Sequence, residues 1–167
     1  MAGSLESKST QKAEWQQLAG SGRLFAVIDA CNEPSVLKKA NEVGPQRAVS
    51  LYRGSAEQRY AHVGPFLFQI DEPSFGWINE SLWKSEWGIF AYADSQLEAL
   101  RTHFRHFLKV KSTDQKEYLF RFYDPRILPP FLEACNESEL DEFFGPVRGF
   151  GAKDGDAVRL LRRREQT

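Results

Sequence analysis

Five short runs of apolar and β-branched residues recur along the chain, and turn residues or helix-like segments separate them. Such runs are typical of buried strands because they are too short for helices and are bounded by turn signals. The predicted strands are residues 24–29 (LFAVID), 48–52 (AVSLY), 65–71 (PFLFQID), 88–93 (GIFAYA) and 118–124 (YLFRFYD).

Residues 95–110 carry the clearest helical pattern in the chain. Their apolar side chains fall on one side of a helix with 3.6 residues per turn, and Ser95 is expected to cap that helix together with Glu98. Asp154-Gly155 predicts the tight turn of a hairpin near the C-terminus. Further helical segments are predicted at residues 13–19, 35–44, 74–85, 125–135 and 137–145.

Strands that alternate with helices predict the α/β class. We expect a single domain with a mixed β-sheet of about five to seven strands flanked by helices. The sheet is expected to be mixed because about a dozen residues join AVSLY to PFLFQID, near the minimum for a parallel crossover. The predicted divisions are a loose N-terminal segment over 1–20, the α/β domain over 21–150, and a hairpin strand with a basic tail over 151–167.

Composition narrows the class of protein. Of the 167 residues, 41% are apolar and the net charge is −1, so a sizeable core is expected and no nucleic-acid partner is indicated. The N-terminus lacks the apolar core of a signal peptide, and no run is long enough to span a membrane, so we expect a cytoplasmic protein without stable membrane association. Cys31 and Cys135 fit no metal spacing and favour a reducing compartment.

Three predicted strands end in aspartate, at Asp29, Asp71 and Asp124. If these strands run parallel, the three carboxylates share one edge of the sheet, where they could hold Mg²⁺ for a metal-dependent phosphohydrolase. The other interpretation is structural, because Asp is a favoured N-cap and Pro73 and Pro125 suit a first helical turn. We favour the structural interpretation and keep the enzyme as the alternative.

Arg121 interrupts the aromatic run of the last predicted strand. A buried guanidinium needs a carboxylate or several carbonyl groups, and Asp29 and Asp71 are the candidate partners. A structural ion pair is the first interpretation, and presentation of Arg121 to a partner protein is the second. Arg126, just past the strand end, is the better candidate for an interface.

Aromatic residues and histidines complete the candidates. For Trp77 and for Trp83, a core position and an interface position are equally favoured, whereas Trp87 is expected in the core. His103 and His106 lie beside arginines that would repel a cation, so we predict no metal site. We also predict no cofactor and no catalytic residue. The 13 Phe, 5 Tyr and 4 Trp exceed what we place in a core of this size, which favours an interaction protein.

Three motifs occur together in this order: WGIF (87–90), LFRFYDPRIL (119–128) and FFGPVRGF (143–150). LFAVIDA (24–30) and GPFLFQID (64–71) precede them. Together they resemble the Tap/Tec family of type VI secretion adaptors, also called effector chaperones, over roughly residues 24–150. Many members carry a further C-terminal lobe, which we expect to be missing or minimal here, since about twenty residues follow FGPV.

The resemblance implies a non-enzymatic adaptor in the cytoplasm of a Gram-negative bacterium. Such an adaptor binds a secreted toxic effector and helps to load it onto a VgrG-type spike protein. The structural motif positions implied here are Asp29, Asp71, Trp87, Asp124, Pro125 and Gly145. The residues that we predict to contact a partner are Trp77, Trp83, Arg121, Arg126 and Arg148.

Overall fold

A seven-stranded antiparallel sheet runs through the computed structural model, which describes residues 4–31 and 33–165. The sheet has the strand order β1-β9-β8-β5-β2-β4-β3, and β6 and β7 form a separate two-stranded sheet. The strands are β1 (Leu5–Gln11), β2 (Leu24–Asp29), β3 (Ala48–Ser50), β4 (Pro65–Gln69), β5 (Gly88–Ala93), β6 (Lys109–Lys111), β7 (Glu117–Leu119), β8 (Val147–Asp154) and β9 (Ala157–Arg163).

Helices cover both faces of the sheet because β2 is apolar on both faces. Phe25 and Val27 point to one face, which α5, α6 and α7 cover, and Leu24, Ala26 and Ile28 point to the other, which α1, α2 and α4 cover. The helices are α1 (Lys12–Gln16), α2 (Pro34–Val43), α3 (Gly54–Tyr60), α4 (Glu72–Trp77), α5 (Leu97–Arg105), α6 (Leu128–Ala134) and α7 (Glu137–Phe144), with a π-helical turn over Ile78–Leu82.

The α/β class, the number of strands and the single domain are confirmed, but the pairing within the sheet is antiparallel rather than mixed. Two helical crossovers each skip a strand, whereas the connection through α3 joins the neighbouring strands β3 and β4. The connection from β4 through α4 to β5 passes over β2, and the connection from β2 through α2 to β3 passes over β4. The strands joined by these two crossovers therefore run in the same direction but are not neighbours, since a strand of opposite direction lies between them.

The predicted strand over residues 118–124 is wrong for most of its length. Only Glu117–Leu119 is a strand, and it pairs with β6 outside the main sheet. Phe122 and Tyr123 are consecutive, and both are buried between the sheet and the helices. A strand would point them to opposite faces, so the chain instead turns here, with the Asp124 amide donating to the Arg121 carbonyl at 3.0 Å.

The N-terminal segment is not loose over the whole of residues 1–20. Leu5–Gln11 forms β1 and pairs along its length with β9, which places it at the outer edge of the sheet. Trp15 anchors the segment: its ring is buried and stacks on Phe90 at 5.6 Å, and its indole N–H donates to Thr10 Oγ1 at 2.8 Å. The predicted hairpin between β8 and β9 is confirmed, and residues 166–167 of the predicted basic tail lie outside the described residues.

Helix boundaries follow local capping only in part. Asp71 caps α4 as predicted, and its carboxylate accepts from the Ser74 amide at 3.0 Å. Ser95 does not cap α5, since the helix begins after Gln96 and ends at Arg105, where the chain turns into β6. Among the residues that the structure describes, no helix is both long and apolar enough to cross a membrane.

Gly145 ends α7 in a backbone conformation with a φ of 47°, as expected for a helix-stopping glycine. A Cβ at this position would lie 2.4 Å from the imidazole of His103. That ring is fixed, because its Nε2 donates to the Phe143 carbonyl at 2.6 Å. Burial lowers the pKa of His103, so the ring is neutral at pH 7.

We expect Gly145→Ala to lower the free energy of unfolding by about 2–4 kcal/mol, from the positive φ and from the clash with His103. Gly20→Ala is the matched control, because Gly20 has a φ of 83° and nothing lies within 4 Å of its added Cβ. The control is expected to lose only about 1–2 kcal/mol. Urea unfolding measures both, and equal losses would show that the imidazole moves aside freely.

Candidate functional site

The loop between β7 and α6 carries four of the predicted site residues to one end of the sheet: Arg121, Asp124, Pro125 and Arg126. Two buried aromatic side chains anchor it: Phe122 packs on Phe104 at 5.5 Å, and Tyr123 is 2% exposed. Arg121, just before them, and Arg126, three residues after them, stand at the surface beside the end of β2. We call this surface the arginine edge; it consists of Asp29, Arg121, Tyr123, Asp124 and Arg126.

Arg121 and Asp29 form the first ion pair of the arginine edge. The Asp29 side chain is only 11% exposed, whereas that of Arg121 is 45% exposed. Asp29 Oδ1 also accepts from the Cys31 amide at 2.9 Å, so both carboxylate oxygens have partners. The sequence correctly named Asp29 as a candidate partner, and the pair leaves other N–H groups of Arg121 facing solvent.

Two tyrosines lie against this ion pair. The Arg121 guanidinium lies 6.0 Å from the ring centroid of Tyr123. Burial, then the charge of Asp29, raises the pKa of Tyr123 and of Tyr52, so both phenols are neutral at pH 7. Partial burial alone would lower the pKa of Arg121. The interactions with Asp29 and Tyr123 outweigh burial and raise that pKa.

Asp124 and Arg126 form the second ion pair, within a single turn. Asp124 is 7% exposed, and its carboxylate accepts from Arg126 Nε at 3.0 Å, Arg126 Nη2 at 2.8 Å and the Arg126 amide at 2.8 Å. Asp124 is therefore not the N-cap of α6, which begins at Leu128. Pro125 occupies the turn between the two charges. The Arg126 side chain is 69% exposed in a fixed, bidentate orientation.

The three predicted aspartates do not meet at one edge of the sheet. β2 and β4 run antiparallel, with Asp29 opposite Pro65, so Asp71 lies beyond the other end of β2. About 20 Å of strand separates Asp29 from Asp71. Each carboxylate has its own arginine, and for Asp71 this is Arg47 at 2.5 Å. The parallel arrangement on which the Mg²⁺ interpretation depended is therefore wrong.

The remaining predicted partner-binding residues are dispersed. Trp83 is 7% exposed and donates to the Gly155 carbonyl at 2.8 Å, so its ring belongs to the core. Trp77 is half-buried against Phe68. Arg148 is 62% exposed and pairs with Asp94 at 2.5 Å, at the end of β5 opposite to the arginine edge. The core also holds most of the aromatic side chains, which corrects the predicted excess.

Trp87 is buried as predicted and packs edge-on against Phe90 at 5.0 Å. Its indole N–H has no hydrogen-bond partner among the described residues. Trp87 lines a hollow of about 200 Å³ together with Glu86, Asp29 and Arg121. In residues 4–31 and 33–165, no group of three or more His, Cys, Asp or Glu side chains is arranged to hold a metal ion.

Sequence reasoning missed two residues near the site. Tyr52 is half-buried next to the Asp29–Arg121 pair, and Arg105 binds three carbonyl groups at the end of β3. The available signal was the spacing of Arg101 and Arg105, which puts two arginines on one side of α5. Their carbonyl partners lie more than fifty residues earlier in the chain, so the spacing alone does not identify them.

A protein-family model described as a domain of unknown function (DUF4123) matches residues 24–142. The match includes the whole arginine edge and more than half of the chain. No curated protein and no solved structure matches the chain.

We expect Arg121→Ala to lower the free energy of unfolding by about 1 kcal/mol, because it leaves the nearly buried Asp29 without its charge partner and the pair is partly solvated. A double-mutant cycle with Asp29→Asn checks the coupling by urea unfolding. Arg23→Ala, which breaks an exposed pair with Asp94, is the matched control and should lose less. Unchanged stability in Arg121→Ala together with lost binding of a partner protein would make Arg121 a contact residue rather than a structural one.

The lowered pKa of Asp71 predicts that the free energy of unfolding depends on pH in the acid range. Partial burial alone would raise its pKa, but hydrogen bonds from Arg47 and Ser74 outweigh burial and lower the pKa to about 2. The stabilisation is complete above the ordinary pKa near 4 and is lost as pH falls toward about 2. The gap in urea midpoint between wild type and Asp71→Asn should therefore close over that range. Asp156→Asn is the control, since its side chain is 99% exposed, and a gap independent of pH would contradict the assignment.

Proposed function

The chain belongs to the family of the domain of unknown function DUF4123, and we propose that it is a type VI secretion adaptor that binds a toxic effector and helps to load it onto a VgrG-type spike. The proposed mechanism is stoichiometric protein–protein binding in the cytoplasm, without catalysis. The resemblance of the WGIF, RFYDPR and FFGPVRGF motifs to effector chaperones supports this proposal.

The observation that carries the proposal is the pair of arginines fixed at one edge. Arg121 and Arg126 are both oriented by carboxylates that are largely buried, while 45% and 69% of their own side chains remain exposed. A guanidinium held in this way loses little conformational freedom when a partner binds, and arginine is enriched among residues that dominate binding energy. The arrangement favours recognition of carboxylates and carbonyl groups on a protein surface.

The arginine edge does not offer the parts that a hydrolase needs. Its carboxylates are occupied by arginines from the same chain, and its tyrosine, Tyr123, is neutral. A bound Mg²⁺ would have to displace a guanidinium that already neutralises a nearly buried carboxylate. No observation on the described residues favours the phosphohydrolase over a binding protein.

Two separate surfaces suit an adaptor with two partners. The arginine edge lies at one end of β5, and Arg148 with Asp94 lies at the other. We assign the effector to the arginine edge and leave the opposite end accessible to the spike. A single adaptor then contacts both partners without one excluding the other.

Co-purification tests the proposal. The tagged chain is expressed with the effector and spike candidates encoded beside its gene, and size-exclusion chromatography identifies any complex. A stable complex that requires neither nucleotide nor metal supports the adaptor. Failure to bind either neighbour, together with phosphatase activity in Mg²⁺, would overturn it.

Arg126→Ala is expected to weaken effector binding by about tenfold or more, since an exposed and oriented arginine is a typical binding hot spot. Arg23→Ala is the matched control, because Arg23 is 56% exposed, pairs with Asp94 and lies at the opposite end of β2. Calorimetric titration of the effector measures both. Full effector binding and delivery by Arg126→Ala would remove Arg126 from the interface.

A further inference from the structure

A groove of about 370 Å³ opens beside β3, between α3 and the end of α5. Three cationic side chains line it, from Arg53, Arg105 and Lys109, and apolar side chains from Leu51, Ala56 and Leu108 form its floor. We call it the cationic groove. No carboxylate lies among its lining residues, in contrast to the arginine edge.

Arg105 is the fixed charge of the groove. Its Nε donates to the Leu51 carbonyl at 3.0 Å, and its Nη2 donates to the carbonyls of Tyr52 at 2.7 Å and Ser50 at 3.3 Å. Carbonyl groups orient a guanidinium but carry no net charge, and Arg105 forms no ion pair within residues 4–31 and 33–165. Its positive charge is therefore held in place without being neutralised.

The other two cations add to this charge at the rim. Arg53 is exposed and forms no ion pair with any described residue. Lys109 is 71% exposed and has one distant partner, Glu117, at 3.9 Å. Burial, then the like charges of Arg101 and Arg53, lowers the pKa of Arg105 and outweighs the opposing charges of Glu57 and Glu98, which agrees with an excess of positive charge here.

The apolar floor of the groove and the exposed apolar side chains around it favour a protein ligand over a small ion. α3 buries none of its residues, and Tyr60 on the same helix is 53% exposed. Across the groove, the small sheet of β6 and β7 exposes Val110 at 46% and Tyr118 at 50%, which face each other across the two strands. Exposed apolar side chains beside uncompensated cations match a partner that carries both acidic and apolar residues.

We propose that the cationic groove binds an acidic peptide segment in which apolar residues are interleaved with glutamate or aspartate. The proposal rests on the proposed function in naming the chemistry of a segment that the effector would present. Carboxylates of the segment meet Arg53, Arg105 and Lys109, and its apolar side chains rest on the floor. Tyr52 lies between this groove and the arginine edge, so one partner can extend over both surfaces.

A nucleic acid fits the same surface less well. The chain has a net charge of −1, and nucleic-acid binders usually show a basic excess or a long basic stripe. The floor of the groove is aliphatic, whereas single-stranded nucleic acids are usually bound by stacking on aromatic rings. The two classes of ligand are separated directly by the experiment.

The full chain is titrated with a fluorescein-labelled peptide that alternates glutamate and leucine, and binding is followed by anisotropy. Binding should weaken as ionic strength rises from about 0.01 M to about 0.15 M, since the Debye length falls from about 30 Å to about 8 Å. The same peptide with glutamine in place of glutamate should bind at least about tenfold more weakly. Equal binding of the two peptides, or no binding of either, overturns the proposal, as does binding of labelled oligothymidylate in place of the acidic peptide.

Charge reversal locates the site. Arg53→Glu combined with Lys109→Glu is expected to weaken binding of the acidic peptide by about tenfold or more. Lys8→Glu combined with Arg164→Glu makes the same change of charge at the opposite edge of the sheet, on exposed side chains, and should leave binding unchanged. Equal losses in the two double variants would overturn the groove as the site. Lys109→Glu alone carries the test if the double variant melts at a lower temperature than wild type.

Failure of this inference is distinguishable from failure of the adaptor function. If the wild-type chain co-purifies with effector or spike while the groove variant binds the peptide and both partners unchanged, the groove is wrong and the adaptor stands. If the wild-type chain binds the acidic peptide in the groove but neither neighbouring gene product, the groove stands and the adaptor is wrong.

Discussion

Complete burial of β2 on both faces organises the rest of the molecule. Leu24–Ile28 has no exposed surface, so helices must cover the sheet on both sides. The helices on one side, α5 and α7, enclose Phe122 beside Phe104 and Phe143, which anchors the loop after β7. That anchor brings Arg121 to Asp29 at the end of β2. The position of the arginine edge thus follows from how an apolar central strand is covered.

Sequence patterns predicted the elements of the fold better than their pairing. β2 and β5 were predicted with their exact bounds, since each is a continuous apolar run between turn residues. The antiparallel sheet was not predicted, because no local signal shows that β2 is inserted between β4 and β5. Gly88 of β5 lies very close to β2, since a Cβ at Gly88 would be 2.0 Å from the Val27 carbonyl oxygen. The need for glycine at position 88 is therefore explained only once β2 is known to lie beside β5.

The candidate site was predictable where its contacts are local. Asp71 was predicted as a cap because Pro73 follows it, and the structure shows that cap. Asp29 needed a partner 92 residues away, and only the chemistry of a buried charge pointed to Arg121. Arg105 was missed because its three carbonyl partners belong to the end of an edge strand, which no side-chain pattern marks.

The two surfaces differ in electrostatics in a way that suits successive steps of binding. At the arginine edge each guanidinium already has a carboxylate, so its net field is weak and its contribution is orientation. In the cationic groove Arg105 has carbonyl partners only, so its charge remains effective beyond contact distance. An acidic segment would therefore be attracted first by the groove. Contacts at the neighbouring arginine edge, across Tyr52, would then fix its orientation at little cost in side-chain entropy.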